Sequence, residues 1–300
     1  MKELVVISGK GGTGKTSIVA SFAALAGKVV LADCDVDAAD LHLVLEPKII
    51  RRVSFTGGKR ARIKPGHCTA CGKCEEICRF DAIYFDGPGN GKLDKTFRID
   101  PVACEGCGVC AWFCAEGAIE FAPVVNGEWY VSDTRHGPMV HAKLGIAQEN
   151  SGKLVSIVRQ EAGRLAEQRG LGLVLIDGSP GIGCPVIASI TGADLVLIVT
   201  EPTISGLHDL GRVADVARHF DIACLVCINK WDINPDVAAE IERQANQRGL
   251  AVAGRVRYDR AVTDAQIRKL SVVEYQHNGC SEDIRRVWTE VQELLLATPT

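Results

Sequence analysis

The fold of this chain is decided by the stretch LVVISGKGGTGKT at residues 4–16. An apolar run at residues 4–7 leads into a Gly-rich loop that fits G-x-x-x-x-G-K-[ST], and residues 17–25 follow with helical spacing. Backbone N–H groups in such a loop surround phosphate oxygens, and the helix N-terminus adds partial positive charge. The predicted phosphate-binding residues are Gly9, Lys10, Gly11, Gly12, Thr13, Gly14, Lys15, Thr16 and Ser17.

Helices and buried strands alternate on both sides of a Cys-rich segment. Strand-like apolar runs lie at residues 29–32, 173–176, 195–199, 223–228 and 251–256, and helical patterns lie at 205–219 and 235–248. This alternation predicts right-handed βαβ units on a mostly parallel sheet. We therefore predict an α/β domain formed by residues 1–60 and 123–300, split by a small inserted domain at residues 61–122.

Eight of the 13 cysteines form an internal repeat. Residues 68–85 and 104–121 align as CxxCxxCxxxC followed by Ala-Ile-x-Phe. This spacing resembles bacterial two-cluster ferredoxins, in which the fourth cysteine of each run ligates the other [4Fe–4S] cluster. The resemblance implies an α+β ferredoxin-like insert with one cluster on Cys68, Cys71, Cys74 and Cys114, and a second on Cys78, Cys104, Cys107 and Cys110. A zinc site is the alternative, but zinc ribbons pair two CxxC units rather than two runs of four.

Lys10 distinguishes this phosphate loop from most others. A lysine at that place resembles the deviant Walker A ATPases of the CobQ/CobB/MinD/ParA family: the septum-site and plasmid-partition ATPases, the Mrp-type cluster carriers and the nitrogenase iron protein. The resemblance implies ATP or ADP with Mg²⁺ as ligands. It also implies an ATP-dependent homodimer in which Lys10 reaches the nucleotide of the partner subunit.

Later motifs match this family in the same order. Asp35 matches the water-orienting carboxylate of the first switch, and Asp177 matches the Asp of the second switch that holds Mg²⁺ through water. The resemblance thus implies Lys10, Lys15, Asp35 and Asp177 as catalytic residues and Thr16, Asp35 and Asp177 around Mg²⁺. It implies that Asn229 with Lys230 reads adenine and that Tyr258 and Asp259 flank the base.

The composition sets limits on location and partners. A net charge of −3 and a pI near 6.2 argue against nucleic acid and anionic membrane as partners. The final helical pattern carries Glu282, Asp283, Glu290 and Glu293, so we expect it to pack on the core rather than on a membrane. No leader or spanning segment is recognisable, so we expect a cytoplasmic protein, where clustered cysteines bind metal. Eight iron ligands would suit an anaerobic or low-oxygen cell.

The remaining cysteines and a basic stretch give weaker signals. Cys184 lies seven residues after Asp177, a spacing similar to that of the bridging cluster cysteine of the nitrogenase iron protein, and we retain it as a candidate bridging ligand. Cys224 and Cys227 point to opposite faces of a strand, so we expect buried apolar packing rather than a shared metal. The basic residues at 48–64 form either an edge hairpin or a dock for an acidic redox partner.

Three functions follow from these features. The leading hypothesis is an ATP-hydrolysing dimer that couples turnover to electron transfer, or to iron–sulfur or metallocofactor maturation, in a redox or metalloprotein client. The second is a MinD/ParA-like positioning ATPase. The third is a nucleotide-binding scaffold without significant turnover.

Overall fold

The computed structural model describes residues 1–145 and 151–298, which form two compact units. The sheet unit contains Met1–Val53, Glu128–Leu144 and the described residues from Ser151 onward. The cysteine unit contains Ser54–Gly127 and Gly145. These limits are wider than the predicted insert of residues 61–122, because the strands Gly58–Ile63 and Ile119–Val124 pair with each other within the cysteine unit.

Strands alternate with helices over part of the chain, as the sequence predicts. The strands are β1 (Lys2–Ser8), β2 (Val30–Asp33), β3 (Lys48–Phe55), β4 (Gly58–Ile63), β5 (Ile83–Gly87), β6 (Thr96–Ile99), β7 (Ile119–Val124), β8 (Gly127–Thr134), β9 (Gly137–Leu144), β10 (Leu173–Pro180), β11 (Leu195–Thr200), β12 (Cys224–Asn229) and β13 (Ala251–Val256). The helices are α1 (Lys15–Ala26), α2 (Leu41–Leu45), α3 (Lys73–Glu76), α4 (Val109–Phe113), α5 (Ser151–Arg169), α6 (Cys184–Ile190), α7 (Ile204–His219), α8 (Pro235–Gln247), α9 (Ala261–Ile267), α10 (Val272–Tyr275) and α11 (Cys280–Ala297). Short 3₁₀ turns cover Pro65–His67 and Trp231–Ile233. Strands alternate with helices from β1 to β3 and from β9 to β13, whereas β3 and β4, β5 and β6, and β7 to β9 follow one another directly.

A large sheet organises the sheet unit. Within the described residues its strand order is β13-β12-β11-β1-β10-β2-β9-β8-β3. All neighbours from β13 to β9 pair in parallel, and Val5 of β1 lies beside Ile176 on one side and Val196 on the other. The predicted α/β fold with a mostly parallel sheet is therefore confirmed. Parallel neighbours place the carboxyl ends of β1, β10, β11 and β12 at one edge, where ligands of such sheets bind.

The last helix packs on this sheet, as its acidic pattern predicts. Its apolar side belongs to the main core, which also contains Leu4, Val6 and Phe22. The rings of Phe22 and Trp288 lie 4.8 Å apart. No helix in residues 1–145 and 151–298 is long and apolar enough to cross a membrane.

The cysteine unit is built from two similar halves. Each half runs strand, cysteine loop, short helix, strand: β4 to β5 and then β6 to β7. The outer strands β4 and β7 pair in antiparallel fashion, and so do the inner strands β5 and β6. Its buried core consists of Ala61, Ile63, Ile83, Phe97 and Ile119, and six cysteines pack against it.

The repeat extends to the backbone conformation. Three left-handed residues lie 2, 4 and 13 positions after the first cysteine of each run: Ala70 (φ 56°), Gly72 (φ 81°) and Asp81 (φ 48°), and Gly106 (φ 64°), Gly108 (φ 75°) and Gly117 (φ 58°). L-residues with side chains adopt this region rarely. The two cysteine loops thus have the same turns at equivalent positions, so the repeat is present in the backbone conformation as well as in the sequence.

The basic stretch at residues 48–64 does not form the predicted hairpin. β3 lies at the edge of the large sheet, whereas β4 pairs with β7 in the cysteine unit. The two strands differ in their partners because β4 packs Ala61 and Ile63 into the cysteine unit's own core. On β3, Arg51 pairs with Glu161 at 2.7 Å and stacks over the Trp129 ring. These contacts confirm an edge strand, but not a hairpin.

The cysteines outside the repeat are mostly buried. Cys34 and Cys280 are fully buried, and Cys280 begins α11. Cys227 is also buried, while Cys224 is partly buried at the start of β12. Burial raises the pKa of the Cys227 thiol to about 12, and that of Cys224 to about 11. The prediction of apolar packing on this strand is confirmed for Cys227.

Candidate functional site

A cleft of about 930 Å³ opens at the carboxyl edge of the large sheet. The loop after β1 forms its floor, from Gly11 to Ser17. One wall comes from the segment after β2, which includes Asp35, Asp37 and Asp40. The opposite wall includes Asn229, Lys230 and the segment from Val256 to Asp259. The structure therefore brings most of the predicted phosphate, switch and base residues to one cleft, but Gly9, Lys10 and Asp177 are not among the residues that line it.

Lys15 lies at the centre of the charged part of the cleft. Its buried ammonium is 2.5 Å from Asp177 Oδ1 and 3.7 Å from Asp35 Oδ2. Burial alone would lower the pKa of this ammonium, but the nearby carboxylates outweigh burial and the pKa lies above its usual value. Lys15 is therefore held as a cation at the bottom of the loop.

Two buried polar atoms beside this pair are suited to a ligand. Asp177 Oδ2 and Thr13 Oγ1 are buried and have no hydrogen-bond partner among the described residues. Buried polar groups are normally bonded, so such atoms require an explanation. A carboxylate oxygen and a hydroxyl next to a Gly-rich loop fit the oxygen-rich surroundings of a Mg²⁺–phosphate group.

Two further aspartates shape the first-switch segment. Asp33, at the end of β2, accepts hydrogen bonds from the backbone N–H groups of Asp35 (3.1 Å) and Leu41 (3.2 Å). Burial and the charge of Asp177 raise the pKa of the Asp33 carboxyl well above its usual range. Burial also raises the pKa of Asp35, to about 6. Asp33 was not identified from the sequence as the residue that holds this segment through backbone hydrogen bonds, although its position at the end of a strand was a usable signal.

Glu201 links two lysines in the same chain. Its carboxylate lies 2.8 Å from Lys10 Nζ and 3.2 Å from Lys230 Nζ. Lys10 also donates to Ser205 Oγ at 2.9 Å. Burial would raise the pKa of Glu201, but the hydrogen bonds from both lysines hold it below the usual value. Sequence reasoning did not identify Glu201, which follows β11 directly and so lies at the same sheet edge.

Asn229 and Lys230 both contact the phosphate loop. Asn229 Nδ2 donates to Thr13 O at 2.7 Å, and Lys230 Nζ donates to Gly12 O at 2.9 Å. Asn229 Oδ1 accepts from Lys230 N at 3.0 Å. Gly14 (φ 89°) permits this approach, because a Cβ at that position would lie 2.3 Å from Asn229 Nδ2. In the structure, the predicted adenine-reading amide thus fastens β12 to the loop.

The base-side segment is anchored by carboxylates. Tyr258 lines the cleft and is 56% exposed as a residue, and its backbone N–H donates to Asp232 Oδ1 at 2.6 Å. Arg257 binds Asp283 through Nε at 2.6 Å and Nη2 at 2.8 Å. Asp259 accepts from Ala261 N and Gln276 Nε2, both at 2.9 Å. Asp232 and Asp283 were not identified from the sequence.

The cysteine unit contains two separate cavities lined by cysteines. A cavity of about 250 Å³ is lined by Cys68, Cys71, Cys74 and Cys114. A smaller one of about 20 Å³ is lined by Cys78, Cys104, Cys107 and Cys110. Each cavity thus receives three cysteines from one run and the fourth from the other run.

Single-ion sites are absent from the described part of the chain. In residues 1–145 and 151–298, no group of three or more His, Cys, Asp or Glu side chains is placed so that it could hold one metal ion. A structural zinc site requires four ligands around a single ion.

Cys184, the candidate bridging ligand, is exposed at the start of α6, where its Cβ lies 3.2 Å from a Cβ built on Gly152.

Comparisons with known proteins bear on the whole chain. The protein MJ0578 of Methanocaldococcus jannaschii is 35% identical over 236 residues, covering 77% of this chain and 79% of that protein. The structure is similar to that of the cell division ATPase MinD of Pyrococcus furiosus, with a TM-score of 0.56, 17% identity and coverage of 98% and 99%. It is also similar to the septum site-determining protein MinD of Pyrococcus horikoshii in complex with Mg-ADP, with a TM-score of 0.58, 17% identity and coverage of 100% and 99%.

The family assignment rests on the sequence. Residues 4–272 match the family described as the CobQ/CobB/MinD/ParA nucleotide binding domain. This range contains the phosphate loop, Asp35, Asp177 and the segment from Val256 to Asp259. The solved structures agree with it at the level of the fold. The chain belongs to the CobQ/CobB/MinD/ParA nucleotide-binding family, whose MinD and ParA members are P-loop ATPases.

Proposed function

We propose that this chain is an ATP-hydrolysing iron–sulfur protein in which nucleotide state gates electron transfer, or cluster delivery, to a client metalloprotein. One observation carries the proposal: each cavity of the cysteine unit is lined by a complete set of four cysteines, three from one run and one from the other. The spacing of two-cluster ferredoxins predicts these same sets.

The cleft supplies the hydrolytic part of the proposal. Thr16, Asp35 and Asp177 would hold Mg²⁺ and its waters, and Lys15 would bind the β- and γ-phosphates. Asp35 would orient the attacking water beside the γ-phosphate, since its carboxylate lies 3.7 Å from the Lys15 ammonium that would bind that phosphate. In the proposed homodimer, Lys10 would leave Glu201 and reach the partner's nucleotide.

The cysteine unit supplies the redox part. Bound [4Fe–4S] clusters would provide low-potential one-electron transfer. The chain's own contribution is to hold and shield them: the Ala118 N–H donates to Cys114 Sγ at 3.3 Å, and Ile63 and Phe97 pack beside the cysteines. Hydrogen bonds to sulfur and apolar shielding are the means by which a protein tunes such groups.

Gating requires that the nucleotide prefer one conformation of the protein. A coupling of about 1–3 kcal/mol is typical of such linkage, and it changes affinity by about 5- to 150-fold. The test is anaerobic purification followed by an EPR redox titration with and without MgATP. We expect two [4Fe–4S] signals whose potentials shift with MgATP. Unchanged potentials, together with unchanged electron delivery, would reject gating.

A pair of variants tests the cysteine sets. Cys110→Ser should lower iron from about eight to about four atoms per chain, because one cubane loses a ligand. Cys78→Ser should remove the same cluster, although its residue lies in the other run. Cys224→Ser, on a strand of the sheet unit, is the matched control and should leave iron content unchanged. Equal iron in all three proteins would end the cluster proposal.

A second candidate function is a MinD/ParA-like positioning ATPase. It is favoured by the likeness to the MinD structures, which extends over nearly the whole chain. It predicts ATP-dependent sedimentation with liposomes or DNA, and it assigns no role to the eight cysteines. Sedimentation that depends on ATP in the iron-free protein would support it over the first proposal.

The third candidate, a scaffold without turnover, makes a separate prediction. If the cleft binds nucleotide without hydrolysis, Asp35→Ala will leave the rate of phosphate release at its wild-type value. A loss of phosphate release with retained nucleotide binding would instead assign Asp35 to hydrolysis.

A further inference from the structure

Helix α4 of the cysteine unit leaves its large apolar side chains uncovered. Trp112 is 88% exposed and Phe113 is 54% exposed, and their rings lie 6.3 Å apart. Val109, at the start of the same helix, is exposed as well. Large apolar side chains that are exposed together mark a surface for another molecule. Tryptophan in particular is enriched among the residues that dominate protein–protein binding.

The internal repeat shows that the fold does not require this tryptophan. Trp112 lies eight residues after the first cysteine of its run, and Glu76 occupies the matching position of the other run. Glu76 is exposed at the end of α3, so both positions face solvent. An indole at such a position contributes little to the core of the unit, and its presence there calls for a function.

The same helix extends from one cysteine-lined cavity to the other. Phe113 lines the larger cavity together with Cys114, and Val109 lines the smaller cavity together with Cys110. Trp112 lies two positions from each of these cysteines in the sequence. Because the rate of electron transfer falls steeply with distance, a partner that covers Trp112 would be well placed to receive an electron from either proposed cluster.

The charges around α4 are mainly negative. Residues 73–81, which contain α3, and residues 105–116, which contain α4, hold five carboxylates and two cations. The two helices pack against each other. In the part of the chain that the structure describes, none of the five carboxylates forms an ion pair: Glu75, Glu76, Asp81, Glu105 and Glu116. Such carboxylates attract a cationic surface, and they repel an anionic membrane or the same face of a second copy.

We propose that α4 is the docking surface for a redox client whose contact face is apolar at its centre and surrounded by lysine or arginine. Trp112 packs into the apolar centre, and the carboxylates around α4 pair with the surrounding cations. The proposal rests on the proposed function in one respect, that the cysteine unit carries reducible clusters, and it adds the place and the chemistry of the client's contact. One electron leaves a reduced cluster and reduces the client's acceptor, and no bond is made or broken.

Reduction of cytochrome c tests this surface, since that haem protein is basic and its haem edge lies among lysines. The full chain with its clusters is reduced with dithionite, freed of excess dithionite and mixed anaerobically with ferric cytochrome c. One electron from a cluster converts each ferric haem to ferrous haem, which absorbance records. We expect the second-order rate constant to fall by about tenfold or more from low to physiological salt. Cytochrome c with succinylated lysines should be reduced about tenfold more slowly.

Variants separate docking from the state of the clusters. Trp112→Ala should lower the rate constant for cytochrome c by about tenfold, and Trp112→Phe should retain most of it. The pair Glu105→Gln and Glu116→Gln should lower the rate at low salt and weaken its salt dependence. Each variant should keep the wild-type iron content and the wild-type rate with menadione, a small uncharged quinone that needs no docking surface. Leu296→Ala and Glu290→Gln, both exposed on α11, are the matched controls and should change neither rate.

Three results would overturn the proposal. These are equal rates with cytochrome c for wild type and Trp112→Ala, faster reduction of the succinylated form, and a self-association of the wild type that Trp112→Ala abolishes in sedimentation velocity. The last result would assign the face to a second copy of the chain.

Failure of the proposed function is seen separately, as protein without iron or without menadione reduction. In that case, binding to immobilised cytochrome c still decides the role of the surface. About tenfold weaker binding of Trp112→Ala than of the wild type would support the docking surface, and equal binding would reject it.

Discussion

The sheet unit and the cysteine unit hold their functional side chains in different ways. In the sheet unit a large apolar core fixes the strands, and the cleft is already organised by ion pairs such as Lys15 with Asp177. In the cysteine unit the described core is Ala61, Ile63, Ile83, Phe97 and Ile119, and six cysteines pack against it. Small cores need an added cross-link or metal to be stable. The comparison indicates that the cleft is formed by the fold of the sheet unit, whereas the clusters proposed for the cysteine unit would help to stabilise the fold of that unit.

The largest expected effect tests the independence of the two units. Lys15→Ala removes the cation that would bind phosphate and leaves the fully buried Asp177 without its partner. We expect phosphate release to fall by about 100-fold or more, and the sheet unit to lose about 3–5 kcal/mol of stability. Iron per chain should stay unchanged. Lys28→Ala, an exposed lysine before β2, is the control, and a loss of iron in Lys15→Ala alone would show that the units depend on each other.

Removal of iron tests the other half of the comparison. An anaerobic chelator should strip the proposed clusters, and the cysteine unit should lose its hydrogen-exchange protection because its own core is small. Strands β1, β10 and β11 of the sheet unit should keep theirs. Hydrogen exchange followed by mass spectrometry measures both units in one sample. Full protection of β4 to β7 after iron loss would contradict the view that the metal supports this fold.

A smaller effect concerns the repeated left-handed turns. A Cβ built on Gly106 (φ 64°) would lie 2.3 Å from Lys59 O. At the matching position of the other loop the chain already carries a residue with a Cβ, Ala70 (φ 56°). Gly106→Ala should therefore destabilise the cysteine unit by about 1–2 kcal/mol or more. Ala70→Gly relieves backbone strain at a left-handed position but raises the conformational entropy of the unfolded chain. Because the two effects oppose each other, the variant should change the free energy of unfolding by less than about 1 kcal/mol. Denaturant titration of both variants checks this; equal destabilisation would contradict it.

The smallest expected effect is the pH dependence contributed by Asp35. Burial raises its pKa from the ordinary 3.8 to about 6, so the folded chain keeps a proton that the unfolded chain releases. Its favourable contribution is complete below pH 3.8 and is lost as the pH rises through about 6. Because the carboxyl group is partly solvated, the loss should be only about 1 kcal/mol. As the pH rises from 4 to 7, the free energy of unfolding of Asp35→Asn should therefore increase relative to that of the wild type, as measured by denaturant titration. If the two proteins show the same dependence of unfolding free energy on pH, the raised pKa of Asp35 is refuted.

Much of the fold was predictable because its signals are local. The phosphate loop follows β1 within one continuous stretch, and the predicted strands at residues 195–199 and 251–256 match β11 and β13 closely. The grouping of three cysteines on each loop was predictable for the same reason, since their regular spacing keeps three thiols close together, whereas the proposed cluster ligand sets stay a prediction. The boundaries of the cysteine unit were less well predicted, because pairing between β4 and β7 joins residues about 60 positions apart in sequence.

The candidate site was only partly predictable. Asp35 and Asp177 were predicted from their resemblance to the switch motifs of the family, and both carboxylates lie within 4 Å of the Lys15 ammonium. Glu201, Asp232 and Asp283 were missed because each acts through a partner distant in the sequence: Lys10, Tyr258 and Arg257. A carboxylate in isolation resembles any solvated surface group until its partner is known.

The sequence by itself determined the phosphate loop, the order of strands and helices, and the two runs of cysteines, because each is encoded by neighbouring residues. Tertiary structure alone decided that Lys10 lies on Glu201 and that the amide of Asn229 is used on Thr13. The physical reason is that these contacts form only when sheet and strand pairing bring distant segments within a few ångströms, and spacing along the chain carries no record of that distance.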